Sequence, residues 1–131
     1  MKHLIMSILP FITVFAIFGN LQAASKPKVY FKTTMGDFTI ELEPDKAPRT
    51  VANFLQYVRD GHYDGLIFHR VIKAFMIQGG GFDKNYNKLG TRDPIENEAD
   101  KGISNERGTI AMARTNDPHS ATNQFFINVK F

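Results

Sequence analysis

Cysteine is absent from all 131 residues, so no disulfide can staple the fold and no thiolate can act as nucleophile or metal ligand. Tryptophan is absent as well, and the aromatic mass rests on 12 phenylalanines and 4 tyrosines. Excess charge of one sign is small. The net charge is +3, with the basic residues spread along the chain instead of gathered in a stripe, which argues against a nucleic-acid partner. Histidine is sparse, and His3, His62, His69 and His119 have no metal-ligand spacing, so no metal site is expected. Repeats and low-complexity tracts are missing. The carboxylates Glu41, Glu43, Glu96 and Glu98 do not pair as an acid and a base and are read as solvated charge. The glycine run 79–81 lacks both a following helix and a Lys-Ser/Thr partner, which excludes a phosphate loop. It is expected to permit tight turning of the backbone. What remains, at 43% hydrophobic and 22% charged residues, is one ordinary globular domain.

The amino terminus belongs to a different class. Lys2 precedes an uncharged, largely apolar stretch that ends at Lys26, with the small pair Ala23-Ala24 near its close. This pattern describes a secretory signal peptide over residues 1–23 and a mature domain over 24–131. An uncleaved membrane anchor is the rival reading. Pro10 and Asn20 leave the apolar stretch short of the ~20 residues a span needs. Export to the periplasm or beyond is therefore expected, with no membrane association after cleavage.

In the mature part, Val29, Phe31 and Thr33 alternate with Tyr30 and Lys32. Thr34-Met35-Gly36-Asp37 supplies a turn, and Phe38, Ile40 and Leu42 resume the two-residue period, which predicts a β-hairpin. Val51, Phe54, Leu55 and Val58 then fall at i, i+3, i+4 and i+7, the stripe of a helix. Pro48 suits its first turn and Gly61 its end. Strands are expected over residues 66–72, 75–78, 109–113 and 124–129, and a polar surface excursion over 83–105. Short strands with one packed helix imply a closed or nearly closed antiparallel β structure.

Three segments carry a recognisable pattern: Phe68-His69-Arg70-Val71-Ile72; Phe75-Met76-Ile77-Gln78-Gly79-Gly80-Gly81-Phe82; and Ile110-Ala111-Met112-Ala113-Arg114 with Asn123-Gln124-Phe125-Phe126-Ile127. In this order and spacing they resemble the cyclophilin family of peptidyl-prolyl cis-trans isomerases. Asn97-Glu98-Ala99-Asp100 and Met112-Ala113-Arg114-Thr115 resemble its bacterial, periplasmic branch. The resemblance implies a mainly β fold, an eight-stranded antiparallel barrel capped by two helices, the first being the helix at Pro48. It implies a catalytic arginine at Arg70, a proline pocket from Phe75, Met76 and Phe126, and a substrate hydrogen bond from Gln78. By the same resemblance Ala113 is the small residue that lets a peptide lie close, Gln124 borders the adjoining subsite, and Arg114 contributes peptide-contacting backbone. Arg114 stands where many eukaryotic relatives carry Asn.

No cofactor or metal is implied, and the expected partners are proline-containing polypeptides, met as a monomer. Family members continue past the position of Phe131 through an aromatic residue, a leucine, a histidine and a closing strand. The barrel of residues 24–131 is thus expected to be incomplete at its carboxy terminus.

Each sharp reading has a plainer rival. A lone arginine on a strand is usually solvated, and Phe75, Met76 and Phe126 could all be core. Strand geometry limits the second rival, because adjacent Phe125 and Phe126 must face opposite ways. Phe125 is expected inside and Phe126 outside, facing a pocket, while His69 should point away from Arg70. Two functions stay open: an isomerase acting on X-Pro bonds of exported proteins, or a non-catalytic proline-peptide-binding chaperone module.

Overall fold

The structure, a computed structural model, describes residues 25–130. The expected signal peptide lies outside the described residues. Among those described, no helix is long and apolar enough to cross a membrane.

The chain opens with strands β1 (Lys28–Thr33) and β2 (Gly36–Glu41), antiparallel and paired from Lys28 opposite Glu41 to Thr33 opposite Gly36. Alternation does here what the sequence implied: Val29 and Phe31 turn inward while Tyr30 and Lys32 stay exposed. Phe31 and Phe38 are cross-strand partners, and their rings stack with centroids 4.8 Å apart.

Helix α1 (Pro48–Arg59) follows, with Pro48 in its first turn. Its buried face is Val51, Phe54 and Tyr57, with Leu55 and Val58 packed against the core. The helix stops because Gly61, at φ 69°, turns left-handed. The His62 amide then reaches the Tyr57 carbonyl at 3.0 Å, and the Gly61 amide reaches Val58 at 3.1 Å. This pair of bonds satisfies carbonyls the last turn would otherwise leave bare.

The second sheet holds β3 (Arg70–Ile72), β4 (Met76–Gly79), β5 (Ile110–Met112) and β6 (Phe125–Asn128) in the order β3-β4-β6-β5, all neighbours antiparallel. The strand expected over 66–72 is therefore shorter. The Ile67 amide donates to the Phe82 carbonyl, and Leu66 makes only an isolated bridge to Asp83. Phe75 leaves the expected strand 75–78 for a turn: its amide bonds the Ile72 carbonyl at 3.1 Å, after Ala74 adopts φ 57°.

The fold is mainly β, with six strands and one helix among the described residues. The hairpin and the second sheet are not hydrogen-bonded to each other there, so no closed barrel forms over these residues. Packing joins them instead. Phe125 is 3% exposed and its ring meets Phe31 of β1, Phe54 of α1, and Tyr63 and Phe68 of the intervening segment, all edge-on at 5.4–6.1 Å. Between β2 and β5 a cleft of about 700 Å³ reaches the core residues Leu42, Val51, Phe54 and Met112.

The polar excursion over 83–105 does more than cover the surface. Arg92 lies over the Tyr57 ring at 3.9 Å and pairs with Asp60 at 2.7 Å. Glu96 pairs with the Arg49 guanidinium. Glu98 corrects its reading as solvated charge. Its carboxylate accepts the Arg49 amide at 3.1 Å, and the Thr50 amide and hydroxyl at 2.8 Å each. Ala47, at the N-cap position, offers no side-chain acceptor, so a residue 48 positions along the chain caps the helix and faces its positive end.

Two outcomes follow from this packing. Phe125→Ala should lose about 3–5 kcal/mol, because four ring contacts collapse into a cavity; a denaturant midpoint near wild type would contradict the hub role. For Glu98, burial alone would raise the carboxyl, but the amide and hydroxyl donors outweigh it and hold it below its ordinary 4.5. A depressed folded value means its contribution is present above 4.5 and is lost as pH falls through the folded value. Glu98→Ala should therefore cost about 1 kcal/mol at neutral pH and much less in strong acid; a deficit that is flat with pH would argue against the cap.

Candidate functional site

The register of the second sheet assembles the site. Arg70 pairs with Gln78, Gln78 with Phe126, and Phe126 with Ala111. Cross-strand partners share a face, so these four form one row across all four strands. The opposite face carries Gly79, Phe125 and Met112 in a parallel row, the last two of which belong to the core. Adjacent Phe125 and Phe126 thus split between core and open face, as strand alternation requires.

Side chains on the open face are linked. Arg70 Nη1 donates to Gln78 Oε1 at 3.2 Å, and Gln78 Nε2 donates to Gln124 Oε1 at 2.9 Å. This polarity is forced, because a guanidinium has donors only. None of the four ion pairs among the described residues includes Arg70. Its guanidinium, on an exposed residue, is oriented by a neutral amide and keeps its charge unopposed. Gln124 is held through its backbone, its carbonyl accepting the Ala113 amide at 2.9 Å. Next to it Asn123 is 1% exposed, with its own carbonyl taking the Tyr63 hydroxyl at 2.8 Å.

Three of the sequence-derived residues, Arg70, Gln78 and Gln124, therefore form one hydrogen-bonded chain. Phe126 joins them on the row, and Ala113 is bonded beside them. Phe126 also lines a smaller cleft of about 280 Å³ with Phe75, Asn105, Asn128 and Lys130, and borders the larger cleft that Arg114 reaches. Phe75 is 54% exposed, set out by its turn. Met76 shares the face by register and is 3% exposed; like Arg70, Gln78, Ala113 and Gln124, it lines neither cleft.

Sequence reasoning did not single out Asn128, two residues beyond Phe126 and so on the same face. Its amide nitrogen donates to Thr109 Oγ1 at 3.0 Å while it walls the smaller cleft. Strand parity alone would have found it; Asn105 and Lys130, outside any strand, had no such signal.

His69 lies apart from the chain of amides, its ring 4.5 Å from Phe82 and its Nδ1 buried without a partner. Burial and then the neighbouring Arg70 charge hold it below its ordinary value. No group of three potential metal ligands occurs among the described residues.

An exposed, unneutralised arginine in one row with Phe126, with amides between them, can hold a neutral chain and place a donor against it. It presents no nucleophile. Comparison with known proteins gives this arrangement a context. The family model described as "Cyclophilin type peptidyl-prolyl cis-trans isomerase/CLD" matches residues 28–131. Peptidyl-prolyl cis-trans isomerase cyp18 of Streptomyces antibioticus is 62% identical over 102 residues, covering 78% of this chain and 61% of the relative. Peptidyl-prolyl cis-trans isomerase B of Escherichia coli K12 is 59% identical over 101 residues, covering 77% and 62%. The chain thus spans about three fifths of the length of these relatives. Among solved structures, a cyclophilin type peptidyl-prolyl cis-trans isomerase of Cryptosporidium parvum, crystallised in the presence of the dipeptide Ala-Pro, aligns with TM-score 0.65 at 28% identity. That match covers 79% of this chain and 68% of that one.

Proposed function

The chain belongs to the cyclophilin-type peptidyl-prolyl cis-trans isomerase family, and on that footing we propose that it accelerates X-Pro bond rotation in exported polypeptides as they fold. The observation that carries the reading is the Arg70 guanidinium, held by the neutral Gln78 amide in one row with Phe126. The Ala-Pro dipeptide of the Cryptosporidium parvum relative supports proline-containing chains as substrate.

An X-Pro amide resists rotation by about 18–20 kcal/mol because resonance gives its C–N bond double-bond character. Unaided exchange takes tens to hundreds of seconds. Twisting the amide breaks that resonance and returns a lone pair to the prolyl nitrogen. Arg70 donates to this nitrogen only once it is twisted, so the interaction favours the transition state over the planar ground state. The proline ring packs against Phe126 and Phe75. One Gln78 amide hydrogen is engaged by Gln124; the other is free for a substrate carbonyl. Ala113 keeps the neighbouring wall low for the peptide backbone, with Arg114 beside it. No bond to the protein forms, and every step is positioning.

A second reading, a non-catalytic proline-peptide module, would use the same aromatic wall but would not need the unneutralised donor. Arg70→Ala separates the two. In the full-length protein it should lower kcat/KM about 10²–10³-fold, equivalent to roughly 3–4 kcal/mol, while peptide binding persists. Phe126→Ala should weaken binding and turnover together. Wild-type turnover by a folded Arg70→Ala protein would leave only the binding module. Export is supported by the apolar leader over residues 1–23. Protein recovered from the exported fraction should begin at Ala24; recovery of the intact leader in membranes would favour an anchor.

A further inference from the structure

Gly81 ends the glycine run beside the site, and it is buried. An ideal Cβ built on it would lie 2.6 Å from Gln124 Cδ and 2.7 Å from both Cγ and Nε2. Carbon atoms in ordinary contact stand ~3.5–4.0 Å apart, so no side chain fits while Gln124 keeps its place. The backbone gives no reason for glycine here, since Gly81 lies outside the left-handed region. Its neighbour Gly80 differs: at φ 92°, its added Cβ would meet the Asn123 carbonyl oxygen at 2.7 Å. One glycine serves the backbone, the other a single side chain.

That side chain is the far end of the chain of amides. We propose that Gly81 is a positioning residue for the site: its missing Cβ seats Gln124, and Gln124 in turn fixes the Gln78 amide and the Arg70 guanidinium. This positioning role rests on the isomerase reading above. Gln78 can present its oxygen to Arg70 only in one of its two amide orientations. The Arg70 guanidinium requires that orientation, and Gln124 Oε1, 2.9 Å from Gln78 Nε2, holds the amide in it. The Gln124 backbone cannot follow a displaced side chain, because it is tied to Ala113 and lies between the buried residues Asn123 and Phe125. A methyl group at position 81 therefore swings only the side chain. Gln78 then loses its anchor, and Arg70 loses the acceptor that aims it.

The test compares Gly81→Ala, Gln124→Ala, the double variant and Arg70→Ala in the full-length protein. Three quantities are read: kcat and KM on an Ala-Pro peptide, the thermal midpoint, and the ¹⁵N–¹H resonance of Arg70 Nε. Gly81→Ala should lower kcat by about 10-fold to 10²-fold, as small misplacements do, with a lesser change in KM. Its midpoint should stay near wild type, and the Arg70 resonance should move toward that of a free arginine side chain. In the Gln124→Ala background the same methyl should cost nothing more, because the three atoms nearest to it are gone. Wild-type kcat and an unmoved Arg70 resonance in Gly81→Ala would overturn the proposal. So would an equal loss in both backgrounds, or a Gly81→Ala chain that fails to fold. If Arg70→Ala keeps full turnover, the isomerase reading falls instead, and the Arg70 resonance still decides whether Gly81 positions it.

Discussion

The alternation of one dipeptide, Phe125-Phe126, is the constraint on which the rest depends. A strand cannot bury both rings on the same side. Phe125 is claimed by the core, where it meets rings from the hairpin, the helix and the segment that follows the helix. Phe126 is thereby committed to the open face. Once β6 has that parity, the ladder carries it outward to Gln78 and then to Arg70. The core thus orients the site, and a one-residue slip of β6 would put both faces wrong.

The electrostatic character of the site follows from its orienting group. Arg49 and Arg92 each face a carboxylate. Arg70 is instead steered by an amide oxygen, which fixes direction without cancelling charge. A carboxylate in that place would hold the guanidinium more firmly and weaken the field it projects. Orientation by neutral groups is looser, which is why a second amide and a missing Cβ behind it have a role to play.

Much of this is legible in the amino-acid sequence alone. The hairpin, the helix from Pro48, the opposed phenylalanines, and Arg70 with Gln78 and Gln124 all follow from period, parity and a family pattern. The parts that are not legible share a physical cause. Phe75 leaves its strand through the left-handed Ala74, a conformation that alanine does not advertise. Ile67 breaks the expected strand because its amide finds Phe82 instead of a ladder partner. Met76 is buried by its surroundings, which strand period cannot reveal. Glu98 looked solvated because its partners lie 48 and 49 residues earlier in the chain, beyond any local rule. Local chemistry fixes what a segment tends to be, and distant contacts decide which side chains it keeps dry.

That distant cap also has a bearing on synthesis. Helix α1 has no N-cap acceptor of its own, and at twelve residues it is marginal in isolation. Its capping carboxylate is encoded 48 residues downstream of Thr50. At about 5–20 residues per second, a ribosome delivers Glu98 roughly 2–10 s after the amides that need it. Through that interval the first turn lacks its acceptor, so helix α1 is completed only after the chain that carries Glu98 has been made.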